Sequence, residues 1–291
     1  MESSKLRRRL TALLLLILLP IAVGASLLHH EAKLPDGVRV QRDLAYGADP
    51  AQALDVYSLP GQSTRRPLIV MVHGGAWAFG DKDYKGVIEA KVAHWLPRGY
   101  LFVSVNYRML PQLDVSGQAD DVARALAFVQ QHAHEWGGDP ARLTLMGHSA
   151  GAHLVALLSA DPARAQAFGV RRWPATVALD SAALDVASIM QRRHLGLYDR
   201  AFGKDPAAWN KLSPLQVLKP QAVPVLAVCS TQRRDDPCAQ ARAYTQRARA
   251  LGVDGAVLPQ DLDHGEINKE LGAEENYTGA VERFLAAHGA G

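Results

Sequence analysis

Leu68-Ile-Val-Met-Val72 is an unbroken apolar run, as expected of a strand covered on both faces. Two shorter segments precede it, 38–44 (VRVQRDL) and 53–59 (ALDVYSL), and read as strands near a sheet edge. Residues 85–96 fit an amphipathic helix, stopped by Pro97 and Gly99. Residues 100–107 (YLFVSVNY) form another buried strand. Residues 116–134 place Val122, Leu126 and Val129 at helical spacing and end at Gly137-Gly138. The same alternation predicts strand 142–146, helix 150–159, strands 176–180 and 224–228, helix 239–250, strand 253–258 and a last helix over about 276–287. Strands alternating with helices imply an α/β fold with a mostly parallel sheet flanked by helices. One domain over 38–288 accounts for them. Residues 182–222 break the rhythm with Tyr198, Phe202, Trp209 and several prolines, and are expected to form a small cap over the carboxyl edge of the sheet.

Composition changes this picture little. An apolar share of 48% and a charged share of 21% are those of an ordinary globular chain. The net charge of +3 resides at the start: four of the 32 basic and one of the 29 acidic residues fall in the first 25, leaving 28 of each. A neutral body argues against a nucleic-acid surface. The early cations Lys5, Arg7, Arg8 and Arg9 precede an apolar run from Leu10 to Val23 and the small residues Gly24-Ala25. That order predicts a signal peptide over 1–25, with export to the periplasm or beyond. An uncleaved inner-membrane anchor is the alternative, although the run is short for a bilayer span. In an exported protein the two cysteines, Cys229 and Cys238, suggest a disulfide; one buried and one surface thiol is the plainer reading.

The candidate chemistry begins at "LTLMGHSAG", residues 143–151, where an apolar strand runs into Gly-His-Ser-Ala-Gly and then a helix-like segment. Gly-x-Ser-x-Gly alone is weak, but between strand and helix it is the sharp turn that raises a nucleophilic serine above an α/β-hydrolase sheet. Serine needs a base. Of the histidines beyond Ser149, His153 is one helical turn on, His194 precedes the expected acid loop and His288 is terminal. His264, in "QDLDHGEIN" after the last strand, is the expected base. The acid is expected after the penultimate strand, in "CSTQRRDDPC". Asp236 is preferred because Asp-Pro-Cys resembles the Asp-x-x-Pro turns usual there, with Asp235 the alternative and Asp185 further back. Asp261 and Asp263 share the histidine's own loop. After "LIVMV" comes His73-Gly-Gly-Ala-Trp77, whose small residues let backbone N–H groups approach a developing oxyanion. Gly75, Ala76 and, after the nucleophile, Ala150 are the expected donors; His73 would brace the loop.

These motifs resemble the α/β-hydrolase superfamily and, within it, the hormone-sensitive-lipase-like esterases. Residues 139–160 are similar to bacterial feruloyl-esterase-like proteins of the BD-FAE type. The resemblance implies serine-dependent hydrolysis of carboxylic esters through an acyl-enzyme, with a small-molecule ester as partner and neither cofactor nor metal. Departures stand at His148, where the wider family has aspartate, at Ala76, where it has glycine, and in the acid loop. Trp77, Phe79 and Tyr84 suggest a shallow aromatic mouth suited to short-chain or aromatic acids. An aryl-formamidase-like amidase is the enzymatic rival, and an exported binding protein on a dead hydrolase fold the non-enzymatic one. Metal binding has little support: His29 and His30 follow the leader, and His132 and His134 point to different sides of a helix.

Overall fold

The computed structural model describes residues 32–61 and 64–291, so the leader expected over 1–25 lies outside the described residues. Eight strands form one sheet: β1 Arg39–Ala45, β2 Ala53–Ser58, β3 Arg66–Val72, β4 Leu101–Val105, β5 Gly138–His148, β6 Ala175–Leu179, β7 Val225–Ser230 and β8 Gly255–Gln260. Their order across the sheet is β1-β2-β4-β3-β5-β6-β7-β8. Only β1–β2 and β2–β4 pair antiparallel; the other neighbours are parallel.

Alternation sorts the central strands into two cores. Leu68, Val70 and Val72 face one side, packed with α2 Val115–His132 and α3 Ala150–Ala160. Ile69 and Met71 face the other, against α1 Lys85–Trp95 and the C-terminal α11 Glu275–Ala287. Every residue of α3 is buried, which explains why its sequence is apolar all round rather than amphipathic. Short α4 Pro162–Gln166 follows it, and α9 Pro237–Ala250 covers β7 through Cys238, Ala241, Tyr244 and Ala248.

β5 starts four residues before the predicted strand. Gly138 pairs with Arg66 ahead of a bulge between Arg66 and Leu68, so the second of the two glycines already belongs to the ladder, while Gly137 at φ 79° makes the turn. Between β6 and β7 the chain forms four short helices, α5 Val186–Met190, α6 Gly196–Phe202, α7 Pro206–Lys211 and α8 Pro214–Val217. They pack onto Trp77: its indole lies 4.9 Å from the Phe202 ring and 6.0 Å from Tyr198. Finally, α10 His264–Lys269 occupies the stretch read as loop.

Candidate active site

Ser149 joins β5 to α3 with φ 56° and ψ −116°, a conformation that L-residues avoid and that only surrounding packing maintains. Two glycines make the turn possible. A Cβ at Gly147 would lie 2.4 Å from the Gly151 carbonyl oxygen, and one at Gly151 would lie 2.3 Å from that of Val72. Backbone occupies the space that a side chain would need.

Ser149 Oγ is 2.9 Å from His264 Nε2. The imidazole is placed by a helix start: Asp263 caps α10, accepting the Glu266 N–H while Glu266 accepts the Asp263 N–H. On the far side of the ring, Nδ1 lies 2.6 Å from Oδ2 of Asp180, a residue the sequence reading did not single out. Asp180 directly follows β6, its side chain is fully buried and its φ is 56°. Its Oδ1 accepts the Ser230 N–H at 2.8 Å, and its Oδ2 also accepts from Arg233 Nη1 at 2.8 Å. Burial alone would raise this carboxyl. The His264 hydrogen bond, the Arg233 charge and the Ser230 N–H outweigh it and hold Asp180 below the usual carboxylate range. An ionised Asp180 fixes the proton of His264 on Nδ1, leaving Nε2 free to accept from serine.

The expected acids sit elsewhere. Asp236 is exposed and accepts the Ala239 N–H as the N-cap of α9, so its carboxylate turns away from His264 toward its own helix. Asp235 is engaged by the Arg233 guanidinium through Nε at 2.9 Å. Asp185 caps α5, and Asp261 takes N–H donors from Gln232. The carboxylate that reaches His264 thus lies at the end of β6, not of β7. The one sequence signal was a lone carboxylate closing the apolar strand "TVALD".

The loop after β3 meets the serine directly, since a Cβ on Gly74 would lie 2.9 Å from Ser149 Cβ. His73 Nδ1–H donates to the Gly74 carbonyl at 2.7 Å, and the ring stacks on Tyr107 at 4.6 Å. The Gly75 carbonyl accepts from Ala78 and Phe79 N–H. Because C=O and N–H of one peptide point in opposite directions, these two inward carbonyls turn the N–H groups of Gly75 and Ala76 outward. Gly75 at φ 118°, Ala76 at 52° and Trp77 at 59° form the bend. Ala150 is the first residue of α3, where an N–H has no intrahelical acceptor. Burial lowers the His73 pKa, which keeps the ring neutral as a brace.

Two further histidines are structural neighbours. His153 accepts from the Trp77 indole at 3.2 Å and donates to the Leu212 carbonyl at 2.7 Å, tying the loop to the segment before β7. His148 donates Nε2–H to the His264 carbonyl at 2.8 Å, and the two rings lie 4.7 Å apart. Burial first, then the His264 charge, pushes His148 down to about 3. Beneath them, fully buried Lys91 of α1 donates to the Gly86 and Asn268 carbonyls, so α1 is stitched to the helix that begins at His264. Burial lowers Lys91 to about 7.

Cys229 and Cys238 form a disulfide with Cα atoms 5.2 Å apart, closing the loop that carries Arg233 rather than the acid. Phe79 and Tyr84 are exposed, while Trp77 is buried and does not line the mouth. Among the described residues no group of three His, Cys, Asp or Glu side chains could hold a metal ion, and no helix is long and apolar enough to cross a membrane.

Sheet order, elbow and histidine after the last strand together define an α/β-hydrolase. Within that class the chain resembles the BD-FAE esterases, whose family model matches residues 54–190. It is 28% identical over 265 residues to the isoprenylcysteine alpha-carbonyl methylesterase ICME of Arabidopsis thaliana, covering 85% of this chain and 60% of that protein. Esterase LipC of Mycobacterium tuberculosis is 27% identical, over 72% of this chain and 55% of LipC. The chain thus spans 60% and 55% of these two relatives' length. Among solved structures, esterase B from Lactobacillus rhamnosis superposes with a TM-score of 0.72 at 22% identity, covering 89% of this chain and 88% of its own. A truncated carbohydrate esterase from gut microbiota gives 0.74 at 16% identity, covering 90% and 100%. At such identities the likeness is one of fold.

Proposed function

We propose that this protein is a carboxylesterase-type serine hydrolase in which Ser149, His264 and Asp180 act as the triad. The observation that carries the reading is the continuous set of contacts from Ser149 Oγ through His264 to buried Asp180, 2.9 Å and 2.6 Å long. His264 Nε2 takes the serine proton as Oγ attacks the ester carbonyl, and Asp180 stabilises the imidazolium. The carbonyl oxygen becomes an oxyanion facing the N–H groups of Gly75, Ala76 and Ala150, at the positive end of α3. His264 then protonates the departing alcohol, leaving an acyl-Ser149. Water, deprotonated by the same imidazole, releases the acid.

The esterase names among the relatives support ester over amide substrates. The exposed aromatic rings of Phe79 and Tyr84, which follow the glycine loop, support short-chain or aromatic acyl groups over long lipid chains. A panel of p-nitrophenyl esters from acetate upward, with feruloyl and aryl formamide substrates, tests both. Turnover of short or aromatic esters, abolished in Ser149→Ala, is expected. Formamide turnover far above every ester, or efficient cleavage of emulsified long-chain triglycerides, would overturn the assignment.

A further inference from the structure

The loop closed by Cys229–Cys238 delivers a cation where the sequence suggested an acid. Arg233 Nη1 lies 2.8 Å from Asp180 Oδ2, 3.1 Å from the Asp180 carbonyl oxygen and 3.0 Å from His264 Nδ1. With the imidazole proton on Nδ1, that nitrogen has no lone pair to accept from the guanidinium. Two donors, a neutral imidazole N–H and a guanidinium, therefore converge on one carboxylate oxygen. The guanidinium is held from behind by Asp235, through Nε at 2.9 Å and through Nη2, and its side chain is only 20% exposed.

We propose that Arg233 is a positioning residue of this hydrolase, one that orients Asp180 and, by opposing an imidazolium at His264, sets the lower pH limit of activity. The inference rests on the hydrolase reading above. A fixed positive charge 3.0 Å from Nδ1 opposes the charge of an imidazolium, and removing it takes that opposition away.

The other groups around the ring do not supply this effect. From β5, His148 is neutral at working pH. From β6, Asp180 acts in the opposite sense by attracting a proton to the ring. From α6, the Tyr198 hydroxyl lies against Arg233 and is kept protonated, burial being the main cause. From α11, Tyr277 is likewise buried and neutral. On α10 itself, the Asp263 and Glu266 carboxylates are occupied by each other's backbone N–H. From α1, Lys91 reaches no closer than the Asn268 and Gly86 carbonyls. Arg233 is the described cation that touches the imidazole.

The test is the rate at which a fluorophosphonate phosphonylates Ser149, followed across about pH 5 to 9 in the wild type, Arg233→Gln and Arg233→Lys. Circular dichroism reports folding. Labelling forms one P–O bond at Ser149 and expels fluoride, so it needs the base but no identified ester. In Arg233→Gln the acid limb should move up by about one pH unit, with roughly a tenfold loss near pH 6. Arg233→Lys should move the limb by less than Gln does. If the Gln variant does not fold, Arg233→Met, uncharged and of similar length, decides by the same displacement. A uniform loss at every pH with the limb in place would mean that Arg233 only braces the loop, and rates within twofold of wild type would mean that it is idle. Either result overturns the proposal. Absence of Ser149 labelling in the wild type would overturn the hydrolase reading, and this role with it.

Discussion

His148 and His264 are joined through the backbone: the imidazole of the first donates to the carbonyl of the second at 2.8 Å, and the rings lie 4.7 Å apart. In the proposed mechanism, the residue just before the nucleophile therefore holds the residue that activates it. His148→Ala should lower kcat on a short p-nitrophenyl ester about tenfold with KM less affected, because the imidazole loses its fixed height over Ser149. His148→Gln, which can still donate, should recover part of the loss. An unchanged kcat in the alanine variant would show that the contact carries no catalytic weight.

The acid assignment separates sharply by mutation. Asp180→Asn should reduce kcat on the order of a thousandfold or more, since the amide favours the wrong imidazole tautomer. Asp236→Asn should stay within about twofold, because the side chain only caps α9 from the surface. The opposite ranking would return the role to the loop after β7.

Much of the fold was legible because buried parallel strands and their helices differ in period and length. The serine and the glycine loop were legible for a related reason: each needs an unusual local backbone, and Gly147, Gly151 and Gly75 record that need in residue type, whereas His264 was legible from its place after the last strand. The acid left no such record. Any carboxylate at the carboxyl edge within reach of the ring would serve, and sequence order does not encode lateral distance between strands. The start of α10 did carry a signal, Asp263 followed three residues later by Glu266, and this capping pair sat unread inside the apparent loop. The helices between β6 and β7 are short and rich in proline, so periodicity had little length to act on.

Stability should fall as solution turns mildly acidic. In the folded protein burial keeps His148 neutral to about 3 and His153 to about 4, whereas the unfolded chain protonates both near 6.5. Between those values the unfolded state binds more protons, so unfolding gains as pH drops through 6.5. At about pH 5 each residue accounts for about 2 kcal/mol relative to pH 8. Urea midpoints at the two pH values measure this, and equal midpoints would contradict it.

The disulfide should matter to both stability and rate. Closing a ring this small contributes roughly 2.5–3 kcal/mol by loop entropy. Cys238→Ser should lower the urea midpoint accordingly and slow hydrolysis at temperatures where the protein remains folded, because Arg233 is then less firmly held against Asp180. Thiol titration of denatured, unreduced protein should find no free thiol; two per chain would exclude the bond.

The hydrogen bond from the Ser230 N–H to Asp180 Oδ1 has a consequence beyond rigidity. It places the ends of β6 and β7 side by side under one imidazole, at the roughly 4.8 Å spacing of paired strands. The Ser230 hydroxyl meanwhile donates to the Leu262 carbonyl at 2.6 Å, so one residue fastens the carboxylate on one side and the chain leading to His264 on the other, a single rivet through three segments.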